Sequence, residues 1–149
     1  MSVFEEYCFY IGTGAGHSSR PVVPICITNP QTSKRVYAFA LVDTGAEACV
    51  FPARIRAALG LRAADGIKRR IGTVTGAGQA LEYTVKVDIF GLGPRGQLVN
   101  LNKIIHSKTV PVNFARNLKC FLIGVKDFLE DFVVTIDYER QVFSLAKRD

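Results

Sequence analysis

The stretch YAFALVDTGAEACVFP, residues 37–52, decides how the chain is read. An apolar run from Tyr37 to Val42 leads straight into one carboxylate, Asp43. Thr44-Gly45-Ala46-Glu47 follow before apolar residues resume. Asp and Gly favour turns, so a turn residue at the end of a strand accounts for Asp43 by itself. It does not account for the apolar residues on both sides, because removing water from a carboxylate costs free energy.

Outward from this segment the pattern is that of strands. PVVPICITN, NPQTSK and RVYAFALVD read as a hairpin with a turn at Asn29-Pro30, delivering Asp43 at the end of a buried strand. EACVFP reads as a further strand. ARIRAALGL, Ala53 to Leu61, follows Pro52 with apolar residues at helical spacing and Gly60 as its stop, which predicts one short helix. Thr73–Thr75 and Leu81–Ile89 alternate like strands around Gly76-Ala77-Gly78. They predict a long hairpin over about residues 71–90 with a mobile glycine tip. Residues 91–97 read as a loop. LVNLNKIIH and KTVPVNF read as two strands with a turn near Ser107. The last third predicts a buried strand ending at Ile123, a glycine break, a short helix near Asp127 to Asp131, and a hairpin pairing FVVTIDY with VFSL through ERQ. The sum is an all-β chain with one or two short helices, closed into a barrel.

The 149 residues suit a single domain, 1–149, with residues 1–20 as an N-terminal extension. A hydrophobic share of 48% against 21% charged residues supplies a core and excludes a disordered chain. No apolar run approaches the roughly 20 residues that a membrane-spanning helix needs. The opening MSVFEEYCFYIG carries acidic residues where a signal peptide carries basic ones, so a cytoplasmic protein without a membrane partner is expected. The glycine-rich GTGAG, from Gly12, is followed by HSSRP and an extended segment. A dinucleotide loop would open a helix there instead. Cys8, Cys26, Cys49 and Cys120 form no C-x-x-C pair, and neither His17 nor His106 lies near two of them in sequence. Free thiols, with no metal and no cofactor, are the expectation. The net charge of +6 suggests a nucleic-acid-binding barrel as one reading, but the basic residues are spread out. The dense run Ile67–Arg70 has no interleaved aromatics to stack bases, so no nucleic-acid partner is expected.

ALVDTGAEACVF resembles the active-site segment of the retropepsin-like aspartic proteases: apolar residues, Asp-Thr-Gly-Ala, then an acidic residue. FLIG, Phe121 to Gly124, resembles the second signature of that family, and DFL with the closing hairpin resembles its cellular and bacterial members. The resemblance runs over about residues 21–146. It implies an acid-protease barrel with a flap hairpin, and an aspartic endopeptidase that uses neither metal nor covalent intermediate.

Peptide hydrolysis by that route needs two carboxylates close enough to share one proton, since like charges at that range cannot both ionise. This chain has one Asp-Thr-Gly. Asp65 precedes Gly66 without the hydroxyl residue, and Asp88 and Asp137 lie in strand-like runs. A second copy of the chain is therefore implied, with the site completed across a two-fold axis. By the resemblance Asp43 is catalytic, Thr44 braces the loop across the homodimer, and Gly45 lets the backbone approach an extended polypeptide substrate. Ala46 and Glu47 contact that substrate, Gly76, Ala77 and Gly78 form the flap tip, and Ile123 and Gly124 line the base of the site.

Three features depart from the family pattern. GVKDFL replaces the usual arginine after the second signature, leaving Lys126 as the cation available to Glu47. The hairpin tip has no aromatic anchor. Residues 1–20 and 91–119 exceed a minimal retroviral enzyme. A reading from another class follows: a catalytically weak retropepsin-fold module that dimerises or binds peptides.

Overall fold

The computed structural model describes residues 6–9, 11–12, 19–73, 76–92 and 99–148. Two short N-terminal strands, β1 (Glu6–Phe9) and β2 (Ile11–Gly12), precede β3 (Ser19–Arg20), which pairs with β2. Beyond Gly12 the glycine-rich loop lies outside the described residues. β4 (Val22–Thr28) and β5 (Arg35–Val42) form the expected antiparallel hairpin, with Asn29 in its turn. β6 (Val50–Pro52) is shorter than the EACVFP segment. Cys49 and the residues before it belong to the loop after β5, whose backbone groups bond to β9, β10 and the turn after β10 outside any regular ladder. A 3-10 turn (Ala53–Ile55) and α1 (Arg56–Leu59) follow, ending at Gly60 with φ of +70°. The Asn29 amide and the Thr32 hydroxyl both donate to the Leu59 carbonyl, at 2.8 and 3.1 Å, so the β4–β5 turn caps the helix.

β7 (Ile67–Thr73) and β8 (Gly76–Leu92) form the long hairpin. Its register puts Thr73 opposite Gly76, and residues 74–75 lie outside the described residues. Gly76, Ala77 and Gly78 therefore sit on the second arm instead of at the apex. Gly91 and Leu92 continue β8 where a loop is expected from sequence. β9 (Val99–Ala115) is one strand. The expected turn near Ser107 is absent because Ser107 stands opposite Asp88 in the β8–β9 ladder and donates its hydroxyl to that carboxylate. The irregularity falls near Phe90, as register shifts in the ladder. β10 (Phe121–Ile123) is followed by turns and a 3-10 helix (Leu129–Asp131), then the closing hairpin of β11 (Phe132–Asp137) and β12 (Val142–Lys147).

Among the described residues, six strands close a ring in the order β4-β5-β10-β6-β9-β8, with β8 returning to β4 and β7 attached outside β8. β4 lies at the seam, paired on both edges, and its residues from Val22 to Ile27 are all buried. Inside, Phe114 meets Phe51 and Tyr83 edge-to-face, with centroids 5.9 and 5.5 Å apart. A separate sheet, β1-β12-β11, uses the N-terminal strand. No helix among the described residues is long and apolar enough to cross a membrane.

Candidate active site

Asp43 follows the last residue of β5, and its loop is clamped from below by β10, the last of the barrel strands in chain order. β10 runs parallel to β5 and antiparallel to β6, filling the gap between them. The Asp43 N–H donates to the Ile123 carbonyl at 3.0 Å. Past Ile123 the chain turns under the loop, where Val125 and Lys126 N–H groups donate to the carbonyls of Ala46 and Glu47 at 2.9 and 2.7 Å. On the far side Asn113 N–H donates to the Cys49 carbonyl at 3.0 Å. Backbone bonds from β9 and β10 thus fix both ends of the Asp43–Cys49 loop.

Two glycines bear on this geometry. A Cβ on Gly124 would lie 2.3 Å from the Ala48 carbonyl oxygen, which excludes any side chain. Gly45 N–H donates to Asp43 Oδ1 at 3.0 Å, and a Cβ there would press on the same oxygen at 3.3 Å. The carboxylate is half-buried, while Thr44, Gly45 and Glu47 are exposed and Ala46 is partly covered.

The ladder also defines the surface beside Asp43. Leu41, Leu122, Val50, Asn113 and Glu82 are successive cross-strand partners. All are half-buried, forming a shallow floor on the outside of the barrel. Their neighbours Val42, Ile123, Phe51 and Phe114 point inward and are buried. The Ile123 side chain is thus core, and what it gives the loop is its carbonyl, whereas Leu122 faces the floor. Val50 and Asn113 were not singled out by the sequence pattern. The signal that finds them is register, two strands away from Asp43. The Asn113 Oδ1 is buried without a hydrogen-bond partner among the described residues.

Gly76, Ala77 and Gly78 stand opposite Gly72 and its neighbours, Thr73 to Ile71, on the far part of the hairpin. β9 ends at Ala115, opposite Ala80, so beyond Ala80 the β7–β8 ribbon is two-stranded. The Glu47 and Lys126 side chains form no ion pair, although their backbones are hydrogen-bonded. Among the described residues no three His, Cys, Asp or Glu side chains gather as metal ligands.

Behind the loop, Leu129 and Glu130 N–H groups donate back to the carbonyls of Gly124 and Val125. Asp131 then accepts from Lys108 Nζ at 3.0 Å and contacts His106 Nε2 at 3.1 Å, fastening this segment to β9. The His106 ring packs edge-on against Phe128 and Phe132. This burial lowers its pKa, with Asp131 opposing the shift. Burial pushes the Asp131 carboxyl up, but the Lys108 and His106 bonds outweigh it and the net direction is down. Burial raises the Cys49 thiol to about 11, so it stays protonated at neutral pH.

No protein-family model and no curated protein matches the chain.

Proposed function

We propose that the protein is a retropepsin-like aspartic endopeptidase, active as a homodimer, in which two Asp43 carboxylates, one from each subunit, activate a water. The observation that carries this reading is the Asp43-Thr44-Gly45 loop. It is held rigid by β10 and Gly124 from beneath and turned outward at Thr44 and Gly45. Rigid placement is what positioned general acid–base chemistry requires. A second copy facing this loop would bring the two carboxylates together across a two-fold axis.

In that dyad the ionised Asp43 takes a proton from water while the protonated one donates a hydrogen bond to the scissile carbonyl. Oxygen adds to the carbonyl carbon to give a tetrahedral gem-diol. Proton transfer to the amide nitrogen then breaks the C–N bond and frees the amine and the acid. The half-buried floor of Leu41, Val50 and Leu122 suits apolar side chains of an extended substrate, and the two-stranded end of the β7–β8 ribbon supplies a closing flap. A cytoplasmic location and the absence of a nucleic-acid partner remain part of this reading.

The test is cleavage of a diverse peptide mixture between about pH 3.5 and 7.5, wild type beside Asp43→Asn. Defined cuts by wild type alone support the mechanism. A folded, dimeric wild type that cuts nothing points instead to the peptide-binding module. Equal cutting by both proteins removes Asp43 from the mechanism.

A further inference from the structure

The basic residues that look scattered in sequence are gathered by the sheet. Lys68, Leu81 and Phe114 are successive cross-strand partners on β7, β8 and β9. The next row on the same face holds Arg70 opposite Gln79. Arg116 follows the Ala80–Ala115 pair that ends the β8–β9 ladder and lines the same cavity as Gln79. Both rows continue the inward-facing side of the barrel beyond its open end, where the 3-10 turn and α1 face them with Ala53 and Arg56. Together these residues line a cavity of about 510 Å³. Its floor is apolar, made by Leu81 and Phe114, and Lys68, Arg70 and Arg116 stand exposed around its mouth. No residue of the Asp43 loop contributes to it.

The charge in this cavity is uncompensated. Arg69, also at its wall, is bound to Glu82 at 2.7 Å. Lys68, Arg70 and Arg116 have no carboxylate partner among the described residues, and the Arg56 bond is to the Ala53 carbonyl. Cations two residues apart on one strand face, with another across a single intervening strand, repel one another unless an anion lies between them. Guanidinium groups are planar forks suited to bidentate bonds with phosphate oxygens. A cavity of this size accepts a small molecule rather than a lone ion.

We propose that this cavity is a binding site for a small ligand bearing a diphosphate group. Arg70, Lys68 and Arg116 hold the phosphates, Arg56 closes the site from α1, and any organic body lies on Leu81 and Phe114. The site is separate from the Asp43 chemistry. Because Lys68 and Arg70 ride on the β7–β8 ribbon while Arg56 and Arg116 belong to the barrel body, a bound diphosphate also ties the ribbon down.

The experiment is titration calorimetry of the full chain with inorganic diphosphate and, separately, ADP, at about 0.15 M salt to suppress non-specific attraction. Hydrogen exchange of residues 68–72 and 79–81 is followed in parallel. The expected result is saturable one-to-one binding, weakened about tenfold or more in Arg70→Ala/Arg116→Ala. The charge-matched control Lys34→Ala/Arg140→Ala should leave it unchanged, and exchange in the ribbon should slow on binding. Tighter binding of ADP than of diphosphate assigns the apolar floor to the organic body, and equal binding assigns the affinity to the phosphates alone. Absence of saturable binding overturns the proposal, as does equal loss in both double variants. An oligonucleotide that binds with a steep salt dependence, while diphosphate does not bind, replaces the compact site with a diffuse polyanion surface.

Discussion

Gly124→Ala is the most direct test of how the candidate site is assembled. The added Cβ would lie 2.3 Å from the Ala48 carbonyl oxygen, 2.4 Å from its carbon and 2.9 Å from its nitrogen. All three contacts are to backbone, so no side-chain rotation relieves them, and the chain at 124–126 must separate from the loop at 46–48. That separation pulls on the Val125–Ala46 and Lys126–Glu47 hydrogen bonds. Losing both costs about 1–3 kcal/mol at the usual net value per bond. Overpacking strain adds about 1–3 kcal/mol, so a destabilisation of about 2–6 kcal/mol is expected. Urea unfolding of wild type and variant measures it, with Gly72→Ala as the control, since a Cβ there meets nothing within 4 Å. On the proposed protease reading, peptide cleavage by Gly124→Ala should fall even under conditions where the variant remains folded, because the Asp43 loop moves. A Gly124→Ala protein within about 0.5 kcal/mol of wild type would refute the clamped-loop geometry.

Three further outcomes are expected. The lowered pKa of His106 means that the unfolded chain takes up the proton first as pH falls, so stability rises with pH. The loss begins near the ordinary value of 6.5 and continues down to the folded value. His106→Leu should therefore flatten the pH dependence of the urea midpoint just below neutrality, and an unchanged slope would count against the buried ring. Asn29→Ala should cost about 1–3 kcal/mol, because its buried amide bonds the Leu59 carbonyl and its oxygen accepts the Gln31 N–H; a loss below about 0.3 kcal/mol would disprove that role. In the native protein an alkylating reagent should modify the exposed Cys120 while sparing the buried Cys26 and Cys49. Mass spectrometry reads this directly, and rapid labelling of Cys49 would contradict its burial.

Much of this molecule is determined by short-range pattern. Period-two alternation marks Leu81–Ile89 of β8, β-branched and aromatic residues mark β4 and β5, Asn29-Pro30 marks the turn between them, and Pro52 with Gly60 brackets the helical segment. Asp43 at the end of an apolar strand is legible for the same reason: each of these signals lies within about ten residues of chain. Tertiary structure decided the rest, because its cause is cross-strand register. Ser107 looks like a turn residue until Asp88 stands opposite it. Gly76, Ala77 and Gly78 belong to the second arm of the hairpin because Thr73 pairs with Gly76. Gly124 is indispensable only because Ala48 lies against it. Arg70 and Arg116, far apart in sequence, come to line one cavity only because β8 lies between β7 and β9. Pairing across a barrel is a non-local choice, and the backbone groups that make it are the same in every residue.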